Sequence, residues 1–257
     1  MFKRLSLYTL LLCFVPFFAW ITGYHWAGNT QLSELDHALF YLTESGSVPY
    51  ALISCVIFAL LFRFLFHSRR QWLIAVAIMG ASVLATQALK SGLKTLFAEP
   101  RPFAVYLAEQ THFSTQDFYA LPRAERAIKV AEFFQTDPNT PAWLTAHYEK
   151  ETGFSFPSGH SIFAATWLML AVGFTQLMQN RRLSAKLLLG AITHWSLLML
   201  ISRLRLGMHY PIDLFAAIIA ALLVNAAIFA ILQKPSFFHL FHAKGAANFP
   251  GLSKKCR

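Results

Sequence analysis

Three short polar segments interrupt an otherwise apolar chain, and their residue types could bind a phosphate group. They are residues 94–102, 156–160 and 202–213. Lys94, Arg101 and Arg203 would bring three positive charges together if the segments met. Concentrated cations need an anion, and the planar guanidinium group binds phosphate oxygens in pairs. We therefore expect these three residues to bind phosphate.

The segment around Ser158 predicts the start of a helix that faces an anion. Ser158 precedes a helical apolar run, and serine is favoured immediately before the first helical turn. The free backbone N–H groups of Gly159 and His160 would then point outward, where a helix start favours negative charge. Because Gly159 lacks a side chain, an anion can approach the backbone closely. Ser158 and Gly159 therefore join the predicted phosphate-binding residues.

Two histidines could carry the chemistry. His209 lies four residues before Asp213. At this spacing a carboxylate can reach one imidazole nitrogen, fix the tautomer and leave the other nitrogen as a nucleophile. His160 could give a proton to a leaving oxygen and later take one from an attacking water. The segments hold no cluster of carboxylates, so we expect neither a metal ion nor another cofactor.

The elements that position these residues are expected to be membrane helices. The 257-residue chain is 56% apolar and 13% charged, whereas a soluble domain usually carries about 25% charged residues. A membrane-spanning helix needs about 20 mostly apolar residues. Stretches that qualify are residues 5–24, 48–66, 72–93, 161–178, 185–201 and 212–232. The sequence therefore predicts an all-α polytopic membrane protein with six transmembrane helices.

The distribution of charged residues predicts how these helices are oriented. The regions expected on the side of the two termini carry basic residues and no Asp or Glu, and all 12 acidic residues fall on the other side or at its membrane edge. Basic loops stay in the cytoplasm. We therefore expect both termini to be cytoplasmic and the three polar segments to face outward together. The net charge of +10 then reflects membrane topology and not a nucleic-acid partner.

We expect one membrane domain over residues 1–234, with a helical insert at about 103–153 on the outward side, and a basic cytoplasmic tail over residues 235–257. The insert contains two periodic pieces, residues 123–135 and 141–150. Two interpretations of these pieces stay open. They could form a cap that covers polar backbone, or a lid or lateral gate over an active site.

The spacing of the polar residues resembles a three-part signature, that of the type 2 phosphatidic acid phosphatase superfamily. Its parts are Lys94-x6-Arg101-Pro102, Pro157-Ser158-Gly159-His160 and Ser202-Arg203-x5-His209-x3-Asp213. The resemblance implies that His209 attacks phosphorus, Asp213 orients His209 and His160 donates a proton. It also implies phosphate binding by Lys94, Arg101, Ser158, Gly159 and Arg203.

The resemblance implies a metal-independent lipid phosphatase that acts through a phosphohistidine intermediate. It is greatest to bacterial lipid phosphatases, which implies the bacterial inner membrane and a periplasmic active site. The implied substrate is phosphatidylglycerol phosphate, with broad activity on undecaprenyl pyrophosphate, phosphatidic acid and diacylglycerol pyrophosphate. The expected partners are therefore a membrane lipid and the bilayer, with no nucleic acid and no obligate protein partner.

Other functions fit parts of the same pattern. A lipid phosphotransferase of this superfamily would pass the phosphoryl group to an alcohol in place of water. A haloperoxidase would bind vanadate in the same cradle, although six spans favour a lipid substrate. A rhomboid-like protease would use Ser158 as nucleophile, which leaves the three cations and Asp213 unexplained. A lipid flippase or transporter often has charges near mid-bilayer or inverted repeats, whereas here the charges cluster at one interface.

Overall fold

The computed structural model describes residues 1–29 and 32–241, and these residues form helices and loops without a β-strand. The helices are α1 (Phe2–Ile21), α2 (Glu34–Glu44), α3 (Tyr50–Phe62), α4 (Arg69–Phe97), α5 (Pro102–Thr111), α6 (Thr115–Ala120), α7 (Arg123–Phe134), α8 (Ala142–Lys150), α9 (Gly159–Leu177), α10 (Leu183–Arg205), α11 (Pro211–Leu232) and α12 (Pro235–Phe238). The predicted all-α fold class is confirmed.

In the described part of the chain, five helices are long and apolar enough to span a membrane, namely α1, α4, α9, α10 and α11. The remaining predicted span corresponds to α3, which has 13 residues and continues into a 3-10 turn, Arg63–Leu65. Its apolar run is shorter than the roughly 20 residues that a straight span needs. The chain is therefore a multi-pass helical membrane protein, whose described residues contain five helices of full spanning length and a shorter apolar helix.

Helix α9 lies at the centre of the bundle, where α1, α4, α10 and α11 pack around it and bury 94% of its apolar stretch. Gly173 permits close packing against α11, because a Cβ atom there would lie only 2.0 Å from the ring of Phe229. The rings of Phe174 and Phe229 meet edge to face at 5.2 Å, a favoured arrangement of aromatic side chains. The central position of α9 brings its first turn close to its neighbours.

The starts of α9 and α11 lie side by side at one end of the bundle. The hydroxyl of Ser158 caps α9 by accepting a hydrogen bond from the Ser161 backbone N–H at 3.3 Å. Pro211 begins α11, at a position where its missing N–H costs no helical hydrogen bond. The backbone N–H of Ser158 donates to the carbonyl oxygen of Asp213 at 3.3 Å. This bond joins the second polar segment to the third.

The predicted insert folds into helices α5 to α8, which share a second hydrophobic cluster. Phe103 and Tyr148 stack inside it with ring centroids 4.4 Å apart. The backbone N–H of Phe103 donates to the carbonyl oxygen of Gly207 at 3.1 Å, which ties the insert to the α10–α11 connection. The domain boundaries stay a prediction, and most of the predicted tail (residues 242–257) lies outside the described residues.

Helix α2, between the first two apolar helices, was not predicted from the sequence. Asp36 stabilises the first turn of α2 by accepting hydrogen bonds from the backbone N–H and the hydroxyl of Ser33, both at 2.9 Å. The same carboxylate accepts hydrogen bonds from two guanidinium nitrogens of Arg205, at 2.8 and 2.9 Å. This ion pair joins α2 to α10, and the C-terminal end of α2 lies beside the polar segments.

Candidate active site

The His209 side chain is held by a buried carboxylate. Its Nδ1 atom lies 3.2 Å from Oδ2 of Asp213, and the two side chains are 1% and 0% exposed. The hydroxyl of Ser155 lies 2.5 Å from the same carboxylate oxygen and 3.2 Å from Nδ1. A carboxylate at Nδ1 favours the proton on that atom, which leaves Nε2 as the nitrogen with a free electron pair. The predicted pairing of His209 with Asp213 is therefore present in the structure.

Arg203 and Arg101 are buried beside this pair and keep part of their hydrogen-bonding capacity free. Arg203 donates from Nη1 to the hydroxyl of Thr43 at 2.6 Å. Arg101 donates from Nε to the carbonyl oxygen of Gly153 and from Nη2 to the carboxylate of Glu151, both at 2.8 Å. Three guanidinium nitrogens of these two arginines have no acceptor among the described residues: Nε and Nη2 of Arg203 and Nη1 of Arg101. Buried donors normally have partners, so these groups favour binding of an anion.

Three positively charged side chains lie near the ring of His209. Arg101, Arg203 and Lys94 all interact electrostatically with the ring of His209. The ammonium group of Lys94 donates to the carbonyl oxygens of Phe154 and, at 3.2 Å, Ser155. The structure therefore brings the first and third polar segments together, as the sequence predicts.

The start of α9 adds the second segment. Ser158 is fully buried, and its hydroxyl is engaged in the cap described above. A Cβ atom at Gly159 would lie 3.1 Å from Cδ of Lys90, so the absence of a side chain there lets Lys90 lie against the backbone. His160 is 6% exposed, and its Nε2 atom lies 2.9 Å from the hydroxyl of Ser47.

The carboxyl group of Glu151 lies among these charges. Burial alone would raise its pKa, but the nearby Arg101 guanidinium, together with the charges of His160 and Arg203, holds the pKa of Glu151 well below its usual range. Glu151 is therefore ionised near neutral pH, and it places a negative charge opposite the cations. Glu151 also interacts electrostatically with Lys94, so it has interactions with residues of all three polar segments.

Several residues that line the site were not singled out from the sequence: Thr43, Glu44, Ser47, His147, Glu151 and Ser155. Ser155 and Glu151 lie just before the second polar segment, and this proximity was the available signal. No local pattern marks Thr43 or His147, since each meets Arg203 only through tertiary packing. Within residues 1–29 and 32–241, no three His, Cys, Asp or Glu side chains are grouped to hold a metal ion.

The fold and the site define a class of protein, a multi-pass helical membrane protein with a buried polar centre that contains arginine, lysine and histidine at one end of its bundle. Residues 75–236 match the family model of the PAP2 superfamily, and the chain belongs to this superfamily. It is 63% identical over 238 residues to phosphatidylglycerophosphatase B of Haemophilus influenzae, covering 93% of this chain and 99% of that protein. It is 37% identical over 230 residues to phosphatidylglycerophosphatase B of Escherichia coli, covering 89% and 87%.

Proposed function

We propose that this protein is a metal-independent lipid phosphatase that hydrolyses phosphatidylglycerol phosphate through a phosphohistidine intermediate. The observation that carries the proposal is the buried His209–Asp213 pair beside Arg101 and Arg203, which keep three guanidinium nitrogens without an acceptor among the described residues. A nucleophile next to donors that are already oriented suits displacement at phosphorus, where positioning and charge stabilisation supply most of the catalysis.

In the first step, Nε2 of His209 attacks phosphorus and the bond from phosphorus to the leaving oxygen breaks. Asp213 accepts a hydrogen bond from Nδ1–H of His209 and stabilises the positive charge that the ring gains. Arg101 and Arg203 bind the phosphoryl oxygens as negative charge develops on them. His160 donates a proton to the leaving oxygen, so that this oxygen departs as a hydroxyl group of the lipid and not as an alkoxide.

In the second step, water attacks the phosphorus atom of the phosphohistidine. His160, which is neutral after the first step, takes a proton from this water, and the phosphorus–nitrogen bond breaks to release inorganic phosphate and free His209. Lys94 and the backbone N–H groups of Gly159 and His160, in the turn that Ser158 caps, complete the phosphate cradle at the start of α9, where a helix favours an anion.

An apolar cavity between α4 and α11 supports a lipid substrate. It has a volume of about 650 Å³ and opens on the side of the bundle. Its walls include Leu89, Leu93, Phe97, Phe156, Phe215, Ala216 and Leu223. Glu99 lies at its edge and interacts electrostatically with Asp213, so the cavity adjoins the catalytic pair. An acyl chain in this cavity would place its phosphorylated head group near His209.

The names of the relatives support phosphatidylglycerol phosphate as the substrate. Apart from Glu99, the walls of the cavity carry no polar side chain that would select one lipid over another. Activity therefore extends to undecaprenyl pyrophosphate, phosphatidic acid and diacylglycerol pyrophosphate. The enzyme belongs to the bacterial inner membrane, with both termini in the cytoplasm and the site facing the periplasm. The absence of acidic residues from the cytoplasmic loops supports this orientation.

The proposal is tested by measuring phosphate release from phosphatidylglycerol phosphate and undecaprenyl pyrophosphate by the detergent-purified protein. We expect release to continue at the same rate in excess EDTA, because the guanidinium groups supply the positive charge that metal ions supply elsewhere. Loss of activity in EDTA that added Mg²⁺ restores would refute the metal-independent mechanism. Folded protein that releases phosphate from neither lipid would refute the phosphatase assignment.

The substitution Ala216→Trp tests the acyl-chain cavity. Filling the cavity with an indole is expected to raise the KM for phosphatidylglycerol phosphate about tenfold, in line with the usual cost of overpacking. The KM for p-nitrophenyl phosphate, which has no acyl chain, is expected to stay the same. Ala227→Trp, on an exposed part of α11 outside the cavity, is the matched control. Equal changes for both substrates would contradict this location of the acyl chain.

A further inference from the structure

The proposed proton donor His160 contacts a serine that lies outside the three polar segments. The hydroxyl of Ser47, in the connection between α2 and α3, lies 2.9 Å from Nε2 of His160. The same hydroxyl donates to Oε1 of Glu44 at 3.4 Å. Such contacts are often long when substrate is absent and shorten in the reacting complex. Ser47 therefore connects the ring of His160 to a carboxylate.

The Glu44 carboxylate has a second partner that determines its charge. Nδ1 of His147, in the insert helix α8, lies 3.0 Å from Oε1 of Glu44. This contact holds the pKa of Glu44 below its usual range, whereas burial lowers the pKa of His147. Near neutral pH the pair is therefore an ionised Glu44 and a neutral His147. The lone pair on Nε2 of His147 then faces Nη1 of Arg203 at 3.3 Å.

These charges determine the direction of the hydrogen bonds at His160. An ionised carboxylate only accepts, so Ser47 donates its proton to Glu44, and the Ser47 oxygen is left to accept from Nε2–H of His160. Nδ1 is then the nitrogen that can exchange a proton with the substrate. The ring of His160 packs closely against Gly46, where an added Cβ atom would lie only 2.8 Å from Cδ2 of the ring.

We propose that Ser47 and Glu44 are positioning residues that keep Nε2 of His160 protonated and stabilise its imidazolium form, so that Nδ1 delivers the proton to the leaving oxygen. The inference rests on the proposed role of His160 as proton donor. In the first step the Nδ1–H bond breaks, the leaving oxygen gains the proton, and His160 becomes neutral with Nε2–H still bonded to Ser47. In the second step Nδ1 regains a proton from water.

The surroundings of His160 explain why such support is needed. Arg203 and Arg101 interact electrostatically with its ring and oppose an additional positive charge there, although the same guanidinium groups are required for phosphate binding. Glu151 interacts with the ring in the opposite sense. Glu44, acting through the Ser47 hydroxyl, supplies a second negative charge on the side of Nε2.

The inference is tested by the dependence of kcat/KM on the leaving group. A general acid matters most for a basic alkoxide and little for p-nitrophenolate, which departs without a proton. Ser47→Ala is expected to lower kcat/KM for phosphatidylglycerol phosphate about 10- to 100-fold, the usual effect of losing a residue that orients another. The value for p-nitrophenyl phosphate is expected to fall less than about threefold. Ser47→Thr, which keeps the hydroxyl, is expected to restore most of the loss.

The controls separate this inference from the proposed function. Ser45 lies in the same turn, and its hydroxyl donates to the carbonyl oxygen of Leu42. The variant Ser45→Ala is expected to retain activity on both substrates. His160→Ala is expected to show the leaving-group selectivity more strongly. If His160→Ala affects both substrates equally, the proposed role of His160 fails. If His160→Ala is selective while Ser47→Ala or Glu44→Gln lowers both rates equally, or lowers neither, the inference is overturned and the proposed function stands.

Discussion

His209→Ala is expected to lower phosphate release from phosphatidylglycerol phosphate by at least about 10,000-fold, because removal of a covalent nucleophile typically costs that much or more. Nε2 of His209 is the atom that Asp213 leaves free for attack, and alanine cannot form the intermediate. The measurement is single-turnover phosphate release, together with trapping of the enzyme after brief exposure to substrate labelled in the phosphate group. Acid-labile label should appear on the wild type and be absent from the variant.

The control for this variant is His194→Ala, since His194 is exposed on α10 and lies outside the site. It is expected to release phosphate and to form the labelled intermediate as the wild type does. The rate of phosphate release by Asp213→Asn is expected to fall by about 10,000-fold, as in other enzymes where this change leaves the histidine in the wrong tautomer. Label that persists in His209→Ala, or activity within tenfold of wild type, would exclude His209 as the nucleophile.

Arg203→Ala is expected to lower kcat/KM about 100- to 1000-fold, the usual effect of losing one well-placed donor to a developing oxyanion. Arg203 is fully buried, and its Nε and Nη2 atoms have no acceptor in the described part of the chain. Arg203→Lys is expected to recover little, because an ammonium group cannot present two parallel donors to phosphate. Inhibition by inorganic phosphate, measured alongside, is expected to weaken in both variants.

Arg182→Lys provides the matched control, because Arg182 is exposed at the start of α10, far along the chain from Arg203. Its kcat/KM and its inhibition by phosphate are expected to stay unchanged. A loss smaller than tenfold in a folded Arg203→Ala variant would mean that the free guanidinium nitrogens do not bind the reacting phosphoryl group. A large loss of activity with unchanged inhibition by phosphate would point to a structural role for Arg203.

The parts of the site that follow from local spacing were predictable from the sequence. His209 lies two residues before the start of α11 and Asp213 lies in the first turn of that helix, so their contact spans only four residues of chain. The Ser158 cap likewise depends only on Ser161, three residues later. The apolar stretches predicted the full-length spans because their composition is incompatible with water over about 20 residues.

Other contacts required the tertiary structure. Ser47 meets His160 across 113 residues of sequence, and Thr43 meets Arg203 across 160. Helix α2 carries Thr43 and brings Ser47 to the site, yet its short, mixed sequence has neither the length nor the apolar content of a span. Its position depends on the Arg205–Asp36 ion pair, and no spacing rule relates residues so far apart.

The sequence by itself determined the membrane-helical class, the residues of the three polar segments and the pairing of His209 with Asp213, because helical periodicity and side-chain chemistry act over a few residues. The tertiary structure alone decided which donors of Arg101 and Arg203 stay free, and that Glu151 and Ser155 lie among them. Those outcomes depend on how α2, α8, α9 and α11 pack at one end of the bundle. Packing of that kind is determined by the whole core and not by any local stretch of the chain.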